Sequence, residues 1–161
     1  MVTGVIIPAD AESVVRREEF RGLTDYQRVV GGYIEAIDLA HPPMSLFAND
    51  EAKLIGLPIN RRATALWWLH EPAAYGLDVV SGDVVLVGQP DRHGDTQSAP
   101  PKFVELLLTS RSFRVEVKGD DDSSAWTASD HRFDDYFSAA TYALDLRHRW
   151  PGVSEARVIA D

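Results

Sequence analysis

The sequence contains no cysteine. That absence excludes disulfides, thiolate metal sites and a cysteine nucleophile, and it suits a cytoplasmic protein. No apolar stretch approaches the roughly 18 residues of a membrane span. The first ten residues, MVTGVIIPAD, lack a basic start and a long apolar core, so a signal peptide is not expected. No cationic run exceeds two residues, Arg16-Arg17 and Arg61-Arg62 being the densest, and the formal net charge is -9. Such a chain should repel phosphates, so direct nucleic-acid binding is not expected. The opposite idea, an acidic protein that imitates the charge of DNA, stays open.

Catalytic signatures are missing too. The chain has no GxSxG elbow and no P-loop. Gly31-Gly32 lacks the remaining glycines of a dinucleotide fingerprint and reads as a helix stop. The five histidines show no pairing at helical or hairpin ligand spacing, so no metal site is expected. The acidic residues around Asp120, Asp121 and Asp122 lack the ligand spacing and closing glutamate of a calcium loop. No cofactor is expected, and a binding protein is a better reading than an enzyme.

What is present is ordinary globular material, with 45% hydrophobic and 25% charged residues in a chain of 161. The pattern predicts an α+β fold in two parts: residues 1–90 as a mixed sheet with two helices, and residues 103–161 as a three-stranded β-β-α-β unit. Residues 91–102, polar and rich in proline and glycine, read as the linker. In the first part, strands are expected at residues 2–7, 13–20, 33–39 and 44–48. Return strands are expected at 53–57 and at 77–80, the latter turning through Ser81-Gly82-Asp83 into a strand at 84–87. Thr24 should cap a first helix at 25–30, and Asn60 a second at 61–70. After a short apolar helix at 103–108, strands are expected at 113–118, 126–133 and 153–160. Ser138 should cap a helix that runs to Arg149, and Trp126 and Trp150 should anchor the small core.

Asn49, Asn60, Arg61 and Arg62 form the candidate ligand-binding set. A turn leading into a capped helix start offers free N–H groups beside positive charge, which suits a nucleotide or another anion. Trp68, together with Asp120, Asp121 and Asp122, is the candidate partner-binding set. Trp67 and Trp68 point about 100° apart on a helix, so one should face the core and the other a cleft or partner.

Three runs carry a family resemblance: VGGYIEAIDL (residues 30–39), LFANDEAKLIGLPINRRAT (46–64) and SGDVVLVG (81–88). In this order and spacing they resemble the uncharacterised domain of unknown function 3846, a family of actinobacteriophages, actinobacteria, plasmids and conjugative elements. The resemblance covers residues from about 1 to 92. Ala52 stands where the family often has glycine, which implies a different turn. The C-terminal part resembles a short β-β-α-β module of actinophage proteins. The resemblance implies a mobile-element setting inside a bacterial host and brings no activity, substrate or catalytic residue. The expectation is therefore a non-enzymatic phage or mobile-element accessory protein that binds a host protein, with counter-defence as its setting. Small-ligand binding and DNA mimicry are the alternatives, and a homo-oligomer stays open.

Overall fold

A computed structural model describes residues 1–120 and 125–161. They fall into two compact units, Met1–Leu108 and Thr109–Asp161. Both are α+β.

The first unit is built on five strands: β1 (Val2–Ile7), β2 (Arg16–Phe20), β3 (Ile34–Leu39), β4 (Met44–Asn49) and β5 (Val84–Gly88). Their spatial order is β2-β1-β5-β4-β3, and every pairing is antiparallel. β4 and β5 lie inside the sheet and are buried along their whole length, which explains why MSLFAN and VVLVG read as continuous apolar runs. Residues directly paired across strands share a face. One face therefore carries the row Ile6, Val85 and Phe47. Helix α1 (Leu23–Val30) covers this face with Tyr26, which stacks on Phe20 at 4.8 Å and meets Phe47 edge-on at 4.9 Å. The alternate row, Val5, Leu86 and Leu46, is fully buried on the other face.

The ends of α1 are set by backbone freedom and one carboxylate. Gly31 takes the left-handed conformation (φ 79°) and its N–H returns to the Gln27 carbonyl. At the other end the cap position is Gly22, and Thr24 lies inside the helix rather than capping it. Asp25 accepts the Arg21 N–H at 2.7 Å and pairs with Arg28 at 3.2 Å. That first bond, with the Arg28 interaction, holds its carboxyl below the usual range.

Both expected return strands are absent, for one topological reason. β4 already pairs with β3 and β5, and β5 with β1 and β4, so neither has a free edge. Residues 53–57 satisfy their backbone locally instead. Ile55 N–H donates to Glu51 O, Leu57 N–H donates to Ala52 O, and Gly56 takes a positive φ of 74°. Residues 77–80 follow helix α2 (Arg61–His70) and a 3-10 turn (Pro72–Ala74); Val80 O accepts the Asn60 N–H, Val80 N–H donates to Thr64 Oγ1, and an isolated Ile59–Ser81 bridge follows.

Residues 91–102, expected as a linker, lie within the first unit. Asp91 gathers the N–H groups of His93 and Asp95, so the segment turns back on itself. Gln97 then bridges to Gly88, Ser98 Oγ accepts the Thr3 N–H, and Ala99 N–H donates to Thr3 O. Helix α3 (Pro101–Leu108) completes this unit, with Phe103 and Val104 buried.

The second unit has β6 (Phe113–Gly119), β7 (Thr127–Phe133), helix α4 (Tyr136–Arg149) and β8 (Val153–Ala160), with sheet order β7-β6-β8. Phe113, Val115 and Val158 pack with Tyr136, Phe137, Ala140 and Ala143 to form its core. Burial pushes the Tyr136 phenol upward. Asp135, not Ser138, caps α4, since its carboxylate accepts the Ser138 N–H at 2.8 Å. Nor do the tryptophans anchor this core. Trp126 lies under the Arg157 guanidinium at 4.0 Å, and Trp150 is 61% exposed beyond the helix end.

Gly88 provides a test of how the 91–102 segment is held. A Cβ there would lie 2.5 Å from the Ser98 carbonyl oxygen, which is backbone and cannot rotate aside. Gly88→Ala is expected to cost about 1–3 kcal/mol, seen as a lower urea midpoint with an unchanged slope.

Candidate functional site

Of the four residues expected to cradle an anion, three are committed to holding the chain together. Asn60 is fully buried. Its Nδ2 donates to the carbonyls of Ile7 (2.8 Å) and Gly82 (2.9 Å), and its Oδ1 accepts the Ala63 N–H (3.0 Å) as the cap of α2. Arg62 Nη2 donates to the carbonyls of Pro8, Asp10 and Ser13, clamping the β1–β2 connection. Asn49 donates to Val30 O at the end of α1 and accepts the Glu51 N–H. Arg61 is exposed at the start of α2. The amides and guanidinium that would meet an anion are thus turned toward backbone carbonyls.

The partner set separates as well. Trp68 Nε1–H donates to Asp78 O at 2.8 Å, and its ring tilts against Tyr75 at 5.1 Å. Asp120 is exposed at the end of β6. Asp121 and Asp122 lie outside the described residues.

A cleft of about 840 Å³ opens next to them, and of the four residues expected to cradle an anion Asn49 lines it. One wall is β3 and β4, through Glu35, Ile37 and Ala48. A second is the turn that follows β4, through Asp50, Glu51, Lys53 and Leu54. Trp67 of α2 and the segment Asp78, Val79 and Val80 close it. Of the adjacent tryptophans, Trp67 is therefore the one that reaches a cleft. Lys53 Nζ bonds the Asp78 carboxylate and ties the two lips together. That bond, with the Val79 N–H also donating to the carboxylate, holds Asp78 below the usual carboxylate range against a smaller upward push from burial.

The cleft lining mixes apolar side chains (Ile37, Leu54, Trp67, Val79 and Val80) with buried Asn49 and Ser81 and several carboxylates. Four carboxylates (Glu35, Asp50, Glu51 and Asp78) face one cation, and that cation is engaged by Asp78. Glu35, Asp50 and Glu51 form no ion pair among the described residues. Next to the Lys53–Asp78 tie stand Leu54, 84% exposed, and Leu77, 82% exposed. Exposed apolar side chains grouped near a cleft are a candidate for an interaction surface. The sequence offered one signal for it: the apolar Leu54-Ile55 pair inside a turn, which the expectation of a return strand absorbed.

The open face of the second unit has the opposite electrostatic character. Arg157 pairs with Glu116 at 2.7 Å, Lys118 with Glu155 at 3.6 Å, and Arg114 and Arg132 both reach Asp161. Among the described residues these ion pairs mix charges of both signs on this face, unlike the one-sign carboxylate array that DNA mimicry needs. Among the described residues no group of three or more histidines or acids could hold a metal ion, and no helix is long and apolar enough to cross a membrane.

The sequence profile of a domain of unknown function, DUF3846, matches residues 2–111. The chain belongs to the DUF3846 family. The match takes in the whole first unit, including the cleft and α3, and so extends beyond the resemblance read over residues 1–92. No curated protein and no solved structure matches this DUF3846 chain.

Two outcomes separate structural from ligand-binding roles here. Asn60→Ala removes a helix cap and strands two buried carbonyls, so it is expected to cost about 3 kcal/mol or more, while Arg61→Ala should change stability by less than about 0.5 kcal/mol. Urea unfolding measures both. Asp78 has a folded pKa below its unfolded one, so the contribution of its pair is present above the unfolded value, about 3.9. It is lost as pH falls through the folded value. Lys53→Met should move the Asp78 midpoint upward, followed by carboxyl-carbon NMR across the acid range.

Proposed function

We propose that this chain is a non-enzymatic accessory protein of a phage or mobile element that binds a host protein through the cleft between β3 and α2. Counter-defence is a setting consistent with such a role. The observation that carries the reading is the cleft lining: exposed Leu54, Trp67 and three carboxylates without ion pairs among the described residues, with exposed Leu77 next to Asp78 in the chain. Interfaces of this kind take their affinity from buried apolar anchors and their selectivity from the charged rim. A partner with a protruding apolar group ringed by cations fits this surface. An anionic small ligand fits it poorly, since Asn60 and Arg62 spend their donors on backbone carbonyls.

The test is affinity capture from the bacterium that carries the element. Wild-type protein should retain a specific host protein, and the surface variant Leu54→Ser/Leu77→Ser, folded to the same melting temperature, should lose it. Retention of the same proteins by both forms would overturn the reading.

A further inference from the structure

β3 is an edge strand. It pairs with β4 on one side, and its opposite side forms no ladder among the described residues. An edge of this kind presents unpaired backbone donors and acceptors to any extended segment that can lie beside it. Natural edge strands are often protected by charged side chains, lysine in particular, and among other devices by proline or a bulge. β3, IEAIDL, carries two carboxylates but no basic residue and no proline, and its register with β4 runs unbroken over six residues. Its only charges are Glu35 and Asp38.

These two carboxylates lie three residues apart, so they stand on opposite faces of the sheet. Glu35 shares its face with Ile37 and lines the cleft. Asp38 lies on the α1 face, where its carboxylate accepts the Ser45 hydroxyl at 2.8 Å. Neither forms an ion pair among the described residues. Pairing of β3 with β3 of a second copy would bring acidic edges together, which is unfavourable. A strand carrying lysine or arginine opposite each carboxylate would be favoured instead, and its cleft-side residues would extend the wall made by Glu35 and Ile37.

We infer that the β3 edge accepts an extended basic segment of a partner protein as a sixth strand, with two cations three residues apart facing Glu35 and Asp38. The inference rests on the binding role proposed above and names the class of partner segment. Backbone hydrogen bonds supply affinity in this mode and the alternating side chains supply selectivity.

The probe is a short capped peptide of alternating valine and threonine with two lysines three residues apart, and the control has the same composition with adjacent lysines. Fluorescence anisotropy should show saturable binding to the full chain, weaker by roughly tenfold for the control or for Glu35→Lys/Asp38→Lys, as expected for two cross-strand charge pairs. Glu35→Gln/Asp38→Asn, which keeps the side-chain shapes, should weaken binding in the same direction, as should added salt. Hydrogen exchange should show new protection in β3 when the peptide is bound. The inference is overturned by binding that ignores the charge changes, by protection elsewhere than β3, by no binding at millimolar peptide, or by self-association of the chain through β3. If the peptide fails while host-protein capture still depends on Leu54 and Leu77, the cleft reading stands and the strand-addition inference falls. If both fail, both are wrong.

Discussion

One buried carboxamide holds the first unit in register. Asn60 joins the end of β1 through Ile7, the turn before β5 through Gly82 and the first turn of α2 through Ala63. Its backbone extends the same knot: its N–H donates to Val80 O, and its carbonyl accepts both the N–H and the hydroxyl of Thr64. Thr64 Oγ1 in turn accepts the Val80 N–H. Each of these groups is out of water, where an unmade hydrogen bond costs far more than a made one contributes. The helix cannot slide or rotate without stranding several of them. Trp67, two turns along, is therefore placed against β3 and β4 by a constraint that lies outside the cleft itself.

The cleft follows from strand order. β4 and β5 are neighbours in the sheet, but about 34 residues separate them in the chain, and neither has an edge to offer those residues. The connection must leave the sheet plane, form α2 over one face, and return. Its outgoing and returning lips, at Lys53 and Asp78, are joined by a single ion pair at the surface. Such a pair adds little to stability. Its consequence is geometric, because it ties the residue before exposed Leu54 to the residue after exposed Leu77.

Much of this was legible in the sequence. The α+β class, eight strands, the α2 cap at Asn60 and the glycine stop after α1 followed from apolar periodicity and local capping chemistry, which depend on near neighbours. Errors arose where a distant partner decided. Residues 53–57 and 77–80 have respectable strand composition, but strand formation needs a free edge, and edge availability is set by global topology. Thr24 and Ser138 are good caps in isolation, but Thr24 lies inside α1, whose cap position is Gly22 without a side-chain bond, and Asp135 takes the Ser138 N–H at the start of α4. Polar, proline-rich residues 91–102 resemble a linker by composition, yet Asp91 and Ser98 use that polarity to pin the segment to the sheet. The candidate ligand set meets the same limit: the Asn60 amide and Arg62 Nη2 are directed to backbone carbonyls while Asn49 lines the cleft, and no local rule distinguishes a carboxamide that binds a ligand from one that binds its own backbone.

The acidity that is so plain in the composition has two different fates. In the second unit Glu116, Glu155 and Asp161 are matched to cations across the strands, so they contribute to pairing and leave little field at the surface. Thr3 and Arg17 engage Glu19 on β2 in the same manner, and the Thr3 hydroxyl holds that carboxyl below its ordinary range. Around β3 the matching stops. Glu35, Asp38, Asp50 and Glu51 lie along one edge and one rim without an ion-pair partner among the described residues. A sequence that needed only solubility could distribute its carboxylates anywhere. Carboxylates outnumber Lys and Arg by 25 to 16, so unpaired ones stand elsewhere too among the described residues, as at Glu12 and Glu18; beside β3 they coincide with an open strand edge, and there their sign favours a cationic segment over an anionic one.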